Sequence, residues 1–455
     1  MAKPVVFIPG LPASELWRVE PNEMIFPPSL GMLLDDNRRA QLMSDLCNTA
    51  STNIVAGQPI RLVMLVAKQA QSLYDILRSR FGYTIGSGSN FRAVGWDWRL
   101  ATDHPQVQRD IRQAIADLKQ ATGQNVVVIL HSTGGLVFRR LIESDPTLAA
   151  SVDTVLAFGV PWVGTLKALN YLTDGETMGF LAAKLTAEQT RTVLRCSQAA
   201  YDLCPPDPAQ TALVTLFGQP FALVQDASGK PIAPLTTPSW MSGDLGVAAK
   251  AAVAHASLGR RSATFGPNIP VVNVAGWGLE TQTLCTITEN SVNYTETAEG
   301  DGTVPFASAS WLRGPTVRTL AVPIGVTAMN HIPDPHSQIW DNDAVAQVLQ
   351  ETLNGVSPEP FVYAAVDNDT ALDNTVPVLV RISASRADGT PLAGAVAKLV
   401  LGSVPIINAM TGTRLDVQFK RASWMTANVG TTQFRFRVEV TWTGGSKEIP
   451  LLIEA

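Results

Sequence analysis

Short runs of apolar residues alternate, along the first 355 residues, with longer segments whose apolar side chains recur at helical spacing. The short runs predict buried strands, and the longer segments predict amphipathic helices. Six strands are expected at residues 3–9, 91–95, 125–130, 152–160, 269–278 and 317–325, and helices at 60–81, 105–122, 134–143 and 343–354. Strands that alternate with helices predict an α/β fold, with a parallel sheet and helices on both of its faces.

Two regions depart from this alternation. Residues 164–262 lack regular strand-helix alternation but carry apolar segments such as "MGFLAAKL". An insertion of this length after a core strand predicts a cap or lid, and extra helical packing around the core is the alternative. The first 355 residues are therefore expected to form one catalytic domain with a cap insertion.

The pattern changes again after Gly355. The turn-rich segment "SPEP" is followed by short β-rich runs such as "VPVLVRISAS" and "TQFRFRVEVTW". Residues 356–455 are therefore predicted to form an all-β, sandwich-like domain. This domain carries no recognisable chemistry. Bracing the first domain is the preferred role, with binding of a surface, a partner or carbohydrate as alternatives.

Composition narrows the classes of protein. The 455 residues are 46% hydrophobic and 16% charged, with a net charge of −5. The chain is long enough for a large core, and it lacks the basic excess of nucleic-acid binders. The sequence contains no run of 18 apolar residues, so no transmembrane segment is predicted. The first residues, "MAKPVVFIPG", contain no apolar signal region. We expect either a cytoplasmic protein or a secreted form whose leader is trimmed.

The cysteines give no metal or redox pattern. Cys47, Cys196, Cys204 and Cys285 include no C-x-x-C pair. A zinc or redox site is therefore not expected. Cys196 and Cys204 are close enough in sequence to form a disulfide in an oxidising compartment, and buried thiols are the alternative.

The stretch "VVVILHSTGGLV" places Ser132 between a predicted strand and a predicted helix. A serine nucleophile occupies this position in α/β hydrolases, on a strained strand-to-helix turn. The usual G-x-S-x-G pattern is altered, because Leu130 stands at its first glycine. A serine nucleophile also needs a base and a carboxylate, which in this fold follow it in the chain.

The five histidines leave two candidates for the base. His104 and His131 precede Ser132, and His255 lies in the predicted cap. His331 and His336 follow the sixth predicted strand, where the base is expected. Asp301, in the Gly-Asp-Gly turn after the fifth strand, is the candidate acid, and a purely structural turn is the alternative.

An oxyanion hole requires two backbone N–H groups directed at the oxygen that becomes negative. The residue after the nucleophile, Thr133, supplies one. The loop after the first strand, "FIPGLPASEL", offers the N–H of Leu11, because Pro12 has none. A plain Pro-Gly turn at Pro9-Gly10 is the alternative.

Eight segments occur in an order that resembles the lecithin:cholesterol acyltransferase-like family of α/β hydrolases, including its bacterial and lysosomal phospholipase relatives. They are "VVFIPGLPASEL", "GWDWRL", "HSTGGLVFRRLI", "GVPWVGT", "AAYDLCPP", "NVAGWG", "GDGTVPFASA" and "HSQIWDNDAV". The resemblance covers about residues 3–354 and does not include the C-terminal β region. It implies Ser132 as nucleophile, Asp301 as acid and a histidine as base.

The resemblance also bears on finer assignments. His336 is preferred as the base because Ile339 and Val345 follow it at the spacing of the family's entry into its last helix, and His331 is the alternative. The segment Trp96-Asp97-Trp98-Arg99 is implied to line the substrate site. Core aromatics with a structural ion pair are the alternative for that segment.

These residues predict a serine hydrolase that cleaves carboxylic esters of acyl lipids through an acyl-enzyme on Ser132. The reaction requires no metal or cofactor, and transient contact with lipid surfaces is expected. The first alternative is an acyltransferase that passes the acyl group to an alcohol. An alternative of another class is a catalytically silent lipid-binding or adhesion protein.

Overall fold

The computed structural model describes residues 2–63, 67–68, 70–84, 89–180, 183–205, 223–230, 265–266, 268–288, 291–324, 336, 339–340, 342–356, 359–366, 377–401, 404–419 and 433–454. Within them the strands, in chain order, are β1 Val5–Ile8, β2 Ser14–Arg18, β3 Glu23–Phe26, β4 Ile54–Pro59, β5 Leu62–Val63, β6 Ala67–Lys68, β7 Phe91–Ala93, β8 Val126–His131, β9 Val152–Phe158, β10 Met178–Phe180, β11 Ala183–Leu185, β12 Leu223–Asp226, β13 Val271–Trp277, β14 Thr281–Ile287, β15 Val292–Thr297, β16 Val317–Pro323, β17 Phe361–Val366, β18 Val378–Ser385, β19 Val396–Leu401, β20 Val404–Ala409, β21 Arg414–Phe419, β22 Gln433–Trp442 and β23 Gly445–Glu454.

The α-helices of the described residues lie mainly between strands of the central sheet. They are α1 Leu30–Leu34, α2 Asp36–Cys47, α3 Gln71–Phe81, α4 Pro105–Thr122, α5 Gly134–Ser144, α6 Leu166–Thr173, α7 Ala187–Cys196, α8 Gln198–Asp202, α9 Phe306–Ala309 and α10 Asp343–Asn354, and a 3₁₀ helix spans Pro146–Ser151.

The central sheet has six parallel strands in the order β16-β13-β9-β8-β1-β7. All six correspond to predicted strands. Alternate residues of β1 and β8 belong to two different apolar clusters, one packed with α4 and α5 and the other with α3 and α10. Both faces of the sheet are therefore covered by helices, and the predicted α/β fold is confirmed.

The prediction for residues 60–81 is only partly right. The helix is restricted to α3, and the residues before it include the two-residue strands β5 and β6, which pair with each other. Pairing between neighbouring short strands overrides the helical spacing there. The sequence also gave no prediction for the antiparallel sheet β3-β2-β4, whose short strands lie between β1 and β5.

The C-terminal region consists of two antiparallel sheets, β17-β18-β21 and β20-β19-β22-β23. Residues from both sheets share one apolar cluster, which includes Val362 and Val380 from the first and Leu399 and Val438 from the second. The two sheets therefore face each other across a common core, as the sequence predicts for this region.

The predicted cap is described only in part. Within residues 164–262, the described ranges 164–180, 183–205 and 223–230 contain α6, α7 and α8. His255 and the remainder of the insertion lie outside the described residues. The function of this insertion as a lid stays a prediction.

Candidate active site

The carboxyl ends of parallel strands meet at one edge of a sheet, and ligands of open α/β sheets bind at that edge. Here, β1 leads to Leu11, β8 to Ser132, β13 toward Asp301 and β16 toward His336. Ser132, Asp301, Leu11 and Thr133 therefore come from loops on the edge where the sequence analysis expects them.

Ser132 occupies a strained turn. Its φ is 51°, and only one other non-glycine residue of the described chain, Asn268, also has a positive φ. β-strand β8 ends at the preceding residue, and α5 begins two residues later. This left-handed backbone costs an L-residue about 1–2 kcal/mol, and nucleophile elbows of α/β hydrolases show the same strain.

Leu130, the departure from the usual pattern, is accommodated by the sheet. Its side chain is fully buried in the same apolar cluster as Ile8 and Val128. The close approach occurs instead at Gly134, where a Cβ would lie 2.4 Å from the carbonyl oxygen of Ile8. The elbow therefore needs glycine after the serine, whereas a large apolar residue fits two positions before it.

Asp301 is fully buried and held by three contacts. Its Oδ1 accepts hydrogen bonds from the N–H groups of Thr303, at 3.1 Å, and Val304, at 2.8 Å. Its Oδ2 lies 2.7 Å from His336 Nδ1. The backbone donors fix the carboxylate so that one oxygen faces the imidazole.

The hydrogen bond between Asp301 and His336 defines the tautomer of the imidazole. An ionised carboxylate only accepts hydrogen bonds, so Nδ1 carries the hydrogen. Nε2 is then the basic nitrogen of the ring. This is the protonation state that a general base for a serine hydroxyl requires. His331, the alternative base, lies outside the described residues.

The end of β9 brings the serine and the histidine to the same place. The N–H of Ser132 donates to the carbonyl oxygen of Phe158, at 3.1 Å. At the next residue, Gly159, a Cβ would lie 2.7 Å from His336 Cε1 and 2.9 Å from Asp301 Oδ2. Ser132 therefore adjoins the strand end against which the Asp301–His336 pair packs.

His131 lies behind the candidate base. Its ring stacks on that of His336 with centroids 4.7 Å apart and planes inclined by 28°, and the ring of Trp340 lies 5.3 Å from that of His131. Burial lowers the pKa of His131 well below its usual 6.5, and the nearby His336 lowers it further. His131 is therefore a neutral ring beside the candidate base.

The loop after β1 lies beside the nucleophile. A Cβ at Gly10 would be 2.6 Å from Ser132 Cβ, so only glycine allows this approach. A turn closes with a hydrogen bond of 2.9 Å from Ala13 N–H to Gly10 carbonyl, and the N–H of Leu11 is directed at Thr133 Oγ1, at 3.4 Å. The two predicted oxyanion-hole residues are therefore neighbours.

Trp96 and Trp98 are almost fully buried. The Trp96 Nε1–H donates to the carbonyl oxygen of Pro9, at 2.9 Å, and the Trp98 Nε1–H donates to that of Ser14, at 3.2 Å. Asp97 pairs with buried Arg99 at 2.6 Å. In the structure these side chains support the loop that contains Leu11, as the alternative interpretation expected, and their contact with substrate stays a prediction.

The cysteines form no disulfide, although all four lie within the described residues. The thiol of Cys196 contacts the carbonyl oxygen of Thr192, at 3.3 Å, and that of Cys204 contacts the carbonyl oxygen of Ala200, at 3.7 Å. Burial raises the pKa of Cys204 well above its usual range. Cys204 is therefore a thiol at neutral pH and a poor nucleophile.

The parallel sheet and the strained strand-to-helix turn at Ser132 are features of the α/β-hydrolase fold, and the Asp301–His336 pair follows Ser132 in the chain order of that fold. Residues 65–227 match the model of the family described as Lecithin:cholesterol acyltransferase. This match agrees with the resemblance seen in the sequence to lecithin:cholesterol acyltransferase-like α/β hydrolases.

Two curated relatives illustrate the similarity. Over 106 residues, the chain is 26% identical to the Lysosomal phospholipase A and acyltransferase of Mus musculus, covering 23% of this chain and 26% of that protein. Over 94 residues, it is 32% identical to the Phosphatidylcholine-sterol acyltransferase of Rattus norvegicus, covering 19% of this chain and 21% of that protein. The chain thus spans about a quarter of the length of these relatives.

Solved structures give low scores over longer spans. The Tle4-Tli4 complex contains a chain with a TM-score of 0.49 and 14% identity, covering 77% of this chain and 99% of that one. Phospholipase PlaB from Legionella pneumophila has a TM-score of 0.30 and 13% identity, covering 85% and 86% of the two chains.

Proposed function

We propose that this protein is a serine hydrolase that cleaves carboxylic esters of acyl lipids. The contact of 2.7 Å between His336 Nδ1 and Asp301 Oδ2, next to the strained elbow at Ser132, carries the proposal. A serine hydroxyl becomes an effective nucleophile when an imidazole accepts its proton and a carboxylate stabilises the resulting imidazolium.

In the proposed reaction, Ser132 Oγ attacks the acyl carbonyl carbon while His336 Nε2 accepts the hydroxyl proton. The N–H groups of Leu11 and Thr133 bind the negative oxygen of the tetrahedral intermediate. When the intermediate collapses, the ester's alcohol leaves with the proton from His336. Water then attacks the acyl-enzyme while His336 accepts its proton, and His336 passes that proton to Ser132 Oγ as the bond to the acyl group breaks and the fatty acid leaves.

The names of the curated relatives support acyl lipids as substrates, because both refer to phospholipid or phosphatidylcholine chemistry. The apolar segments of the 164–262 insertion agree with such a substrate. Leu34, on α1, is 68% exposed, and Leu30 is 43% exposed. They offer apolar contacts for a transient encounter with a lipid surface. Within the described residues, no helix has the length and apolarity needed to span a membrane.

Acyl transfer is the second candidate, because both relatives are named as acyltransferases. It shares the acyl-enzyme and differs only in the acceptor, since an alcohol replaces water. Supplying an isotopically labelled alcohol with the ester substrate separates the two. Labelled ester as the main product indicates transfer, and free fatty acid alone indicates hydrolysis.

Labelling with a fluorophosphonate, followed by peptide mass mapping, tests the proposal. We expect the label on Ser132 in the wild type, no label in Ser132→Ala, and labelling slowed by about 10³-fold or more in His336→Ala. His331→Ala serves as the matched control and should react at the wild-type rate. If His331→Ala reacts slowly and His336→Ala normally, the base is misassigned. If detergent-treated wild type takes up no label, a silent lipid-binding protein becomes the better interpretation.

A further inference from the structure

The loop that carries Asp301 is covered by the C-terminal β region. Glu299 lies two residues before Asp301. Its carboxylate forms an ion pair with Arg414, whose Nη1 donates to Glu299 Oε2 at 2.8 Å. Arg414 begins β21 and lies 115 residues further along the chain. The side chain of Arg414 is 17% exposed and that of Glu299 is 46% exposed, so the pair is partly buried and partly screened by water.

The Arg414 guanidinium also packs on two aromatic rings. It lies 4.1 Å from the ring centroid of Phe306 and 5.1 Å from that of Trp277. The N–H of Phe306 in turn donates to the carbonyl oxygen of Glu299, at 2.8 Å. Arg414 therefore contacts both ends of the loop from residue 299 to residue 306, and Asp301 lies within that loop.

Trp277 connects the same contacts to the central sheet. It is the last residue of β13, and its Nε1–H donates to Ser383 Oγ, at 3.0 Å. Ser383 is the strand partner of Arg414 in the β18–β21 pair. At the preceding residue of β13, Gly276, a Cβ would lie 2.9 Å from Asp301 Cβ. The paired residues Ser383 and Arg414 thus contact both β13 and the 299–306 loop, and these two segments hold Asp301.

We propose that Arg414 is a positioning residue for the hydrolase reaction. It holds the 299–306 loop so that the Asp301 carboxylate stays against His336 Nδ1. This proposal rests on the proposed function, because it assigns Arg414 an effect on the base of that reaction. It also gives the C-terminal β region a part in catalysis that does not require contact with substrate.

The surroundings of Arg414 make its truncation informative. A cleft of about 580 Å³ borders Arg414, Glu299 and Phe306. Removing the side chain therefore enlarges an existing cleft and leaves no closed apolar cavity, so the fold is expected to survive. An ion pair that is partly exposed contributes little to stability, so its loss is not expected to unfold the protein.

The test compares Arg414→Ala, Arg414→Lys and Glu299→Gln with the wild type. Arg437→Ala is the matched control, because Arg437 forms an exposed pair with Glu448 in the same C-terminal region. Three quantities are measured for each protein: the rate of Ser132 labelling, kcat and KM for a p-nitrophenyl ester between about pH 5 and about pH 9, and Tm.

In Arg414→Ala, we expect labelling and kcat to fall about tenfold, with KM changed by less than about twofold. A misplaced carboxylate stabilises the imidazolium less, so the pKa of the base falls. The acid limb of the kcat/KM profile should therefore move to lower pH. Arg414→Lys should recover part of kcat, because it keeps the charge opposite Glu299. Glu299→Gln should reproduce part of the loss, and Arg437→Ala should match the wild type.

Four outcomes would overturn the proposal. A fall in Tm in Arg414→Ala and Glu299→Gln with kcat and the acid limb unchanged in the folded fraction makes the contact merely structural. An equal loss of kcat in Arg437→Ala makes the effect nonspecific. If wild type is labelled at Ser132 and all variants react like it, Arg414 has no positioning role although the proposed function stands. Absence of Ser132 labelling in wild type removes both proposals.

Discussion

His131 is a basic residue type at a position where the fold keeps it neutral. Burial is the main cause of its lowered pKa, the charge of His336 adds to it, and a hydrogen bond with the backbone of His336 opposes it. A neutral ring stacked on His336 limits the orientations of that candidate base without adding a competing charge. A second positive charge at this distance would oppose formation of the His336 imidazolium.

The same residue predicts how stability depends on pH. The folded-state pKa of His131 lies below the value near 6.5 of the unfolded chain, so below that pH the unfolded state binds a proton that the folded state excludes. Stability contributed by neutral His131 is therefore complete at higher pH and is lost as pH falls through about 6.5, by up to about 1.4 kcal/mol for each pH unit. In His131→Phe this part of the pH dependence should disappear.

Urea unfolding at about pH 7.5 and about pH 5.5 measures the effect. His104→Asn is the matched control, because His104 caps α4 through its ring nitrogen and asparagine keeps an acceptor there. Equal losses of stability in wild type and His131→Phe between the two pH values would show that His131 is protonated in the folded protein.

At the scale of elements, Arg99 joins the loop after β7 to the end of α2. Its guanidinium pairs with Asp97, at 2.6 and 2.9 Å, and donates to the carbonyl oxygens of Asp45, at 2.8 Å, and Asn48, at 3.0 Å. Carbonyl groups at a helix C-terminus have no partner within the helix. Arg99 thus supplies the donors that the end of α2 requires in a buried place.

Removing Arg99 should be far more costly than removing an exposed arginine. Arg99→Met leaves the Asp97 carboxylate buried without its cation, and we expect a loss of about 3–5 kcal/mol in the free energy of unfolding. Arg109→Met, whose side chain is 70% exposed beside Asp110, should lose less than about 1 kcal/mol. Denaturant titration of both variants gives the comparison. Similar losses would mean that α2 does not depend on Arg99.

Elements with strong local signals could be predicted from the sequence. Helix α4 begins at Pro105 after its cap His104 and ends at left-handed Gly123, and the predicted bounds coincide with the observed ones. β-strand β8 is buried on both faces and reads as one apolar run. Strands β5 and β6 have two residues each and depend on pairing with each other, so helical spacing misled the prediction for residues 60–81.

The candidate site divides in the same way. The order of residues in the chain and their positions after predicted strands suffice to predict Ser132, Asp301 and His336 as candidates, because the fold requires that order. No sequence motif around Arg414 identifies it as part of the site. Its contacts with Glu299 and Phe306 form only when the C-terminal region has folded against the first 355 residues. Trp96 and Trp98 were recognised as a motif, but their hydrogen bonds to the backbone could not be read from the residue types.

At the scale of the whole molecule, the C-terminal region adjoins the edge of the central sheet. The turn from Arg386 to Thr390 brings Gly389 against β16, where a Cβ would lie 2.3 Å from the carbonyl oxygen of Thr319. Gly389 has a φ of 85°, and Gly444 has a φ of 104° but no neighbour within 4 Å of the same Cβ position. The two glycines differ mainly in what surrounds them.

Comparing Gly389→Ala with Gly444→Ala separates the cost of backbone strain, which both share, from the cost of the contact between the 386–390 turn and β16, which only Gly389 makes. Both substitutions cost about 1–2 kcal/mol through the left-handed backbone. Gly389→Ala should lose about 1–3 kcal/mol more, because its Cβ must displace the turn from β16. Urea titration of Gly389→Ala and Gly444→Ala measures the difference. Equal losses would show that the turn moves away from β16 without cost.

The separation of 115 residues between Glu299 and Arg414 has a consequence for synthesis. A nascent chain that has emerged only as far as β20 already contains Ser132, Asp301 and His336, but not the guanidinium that spans the acid's loop. If Arg414 positions that loop, the proposed esterase activity stays low until β21 has emerged and folded. The folding of the C-terminal region would then time the onset of the proposed activity during synthesis.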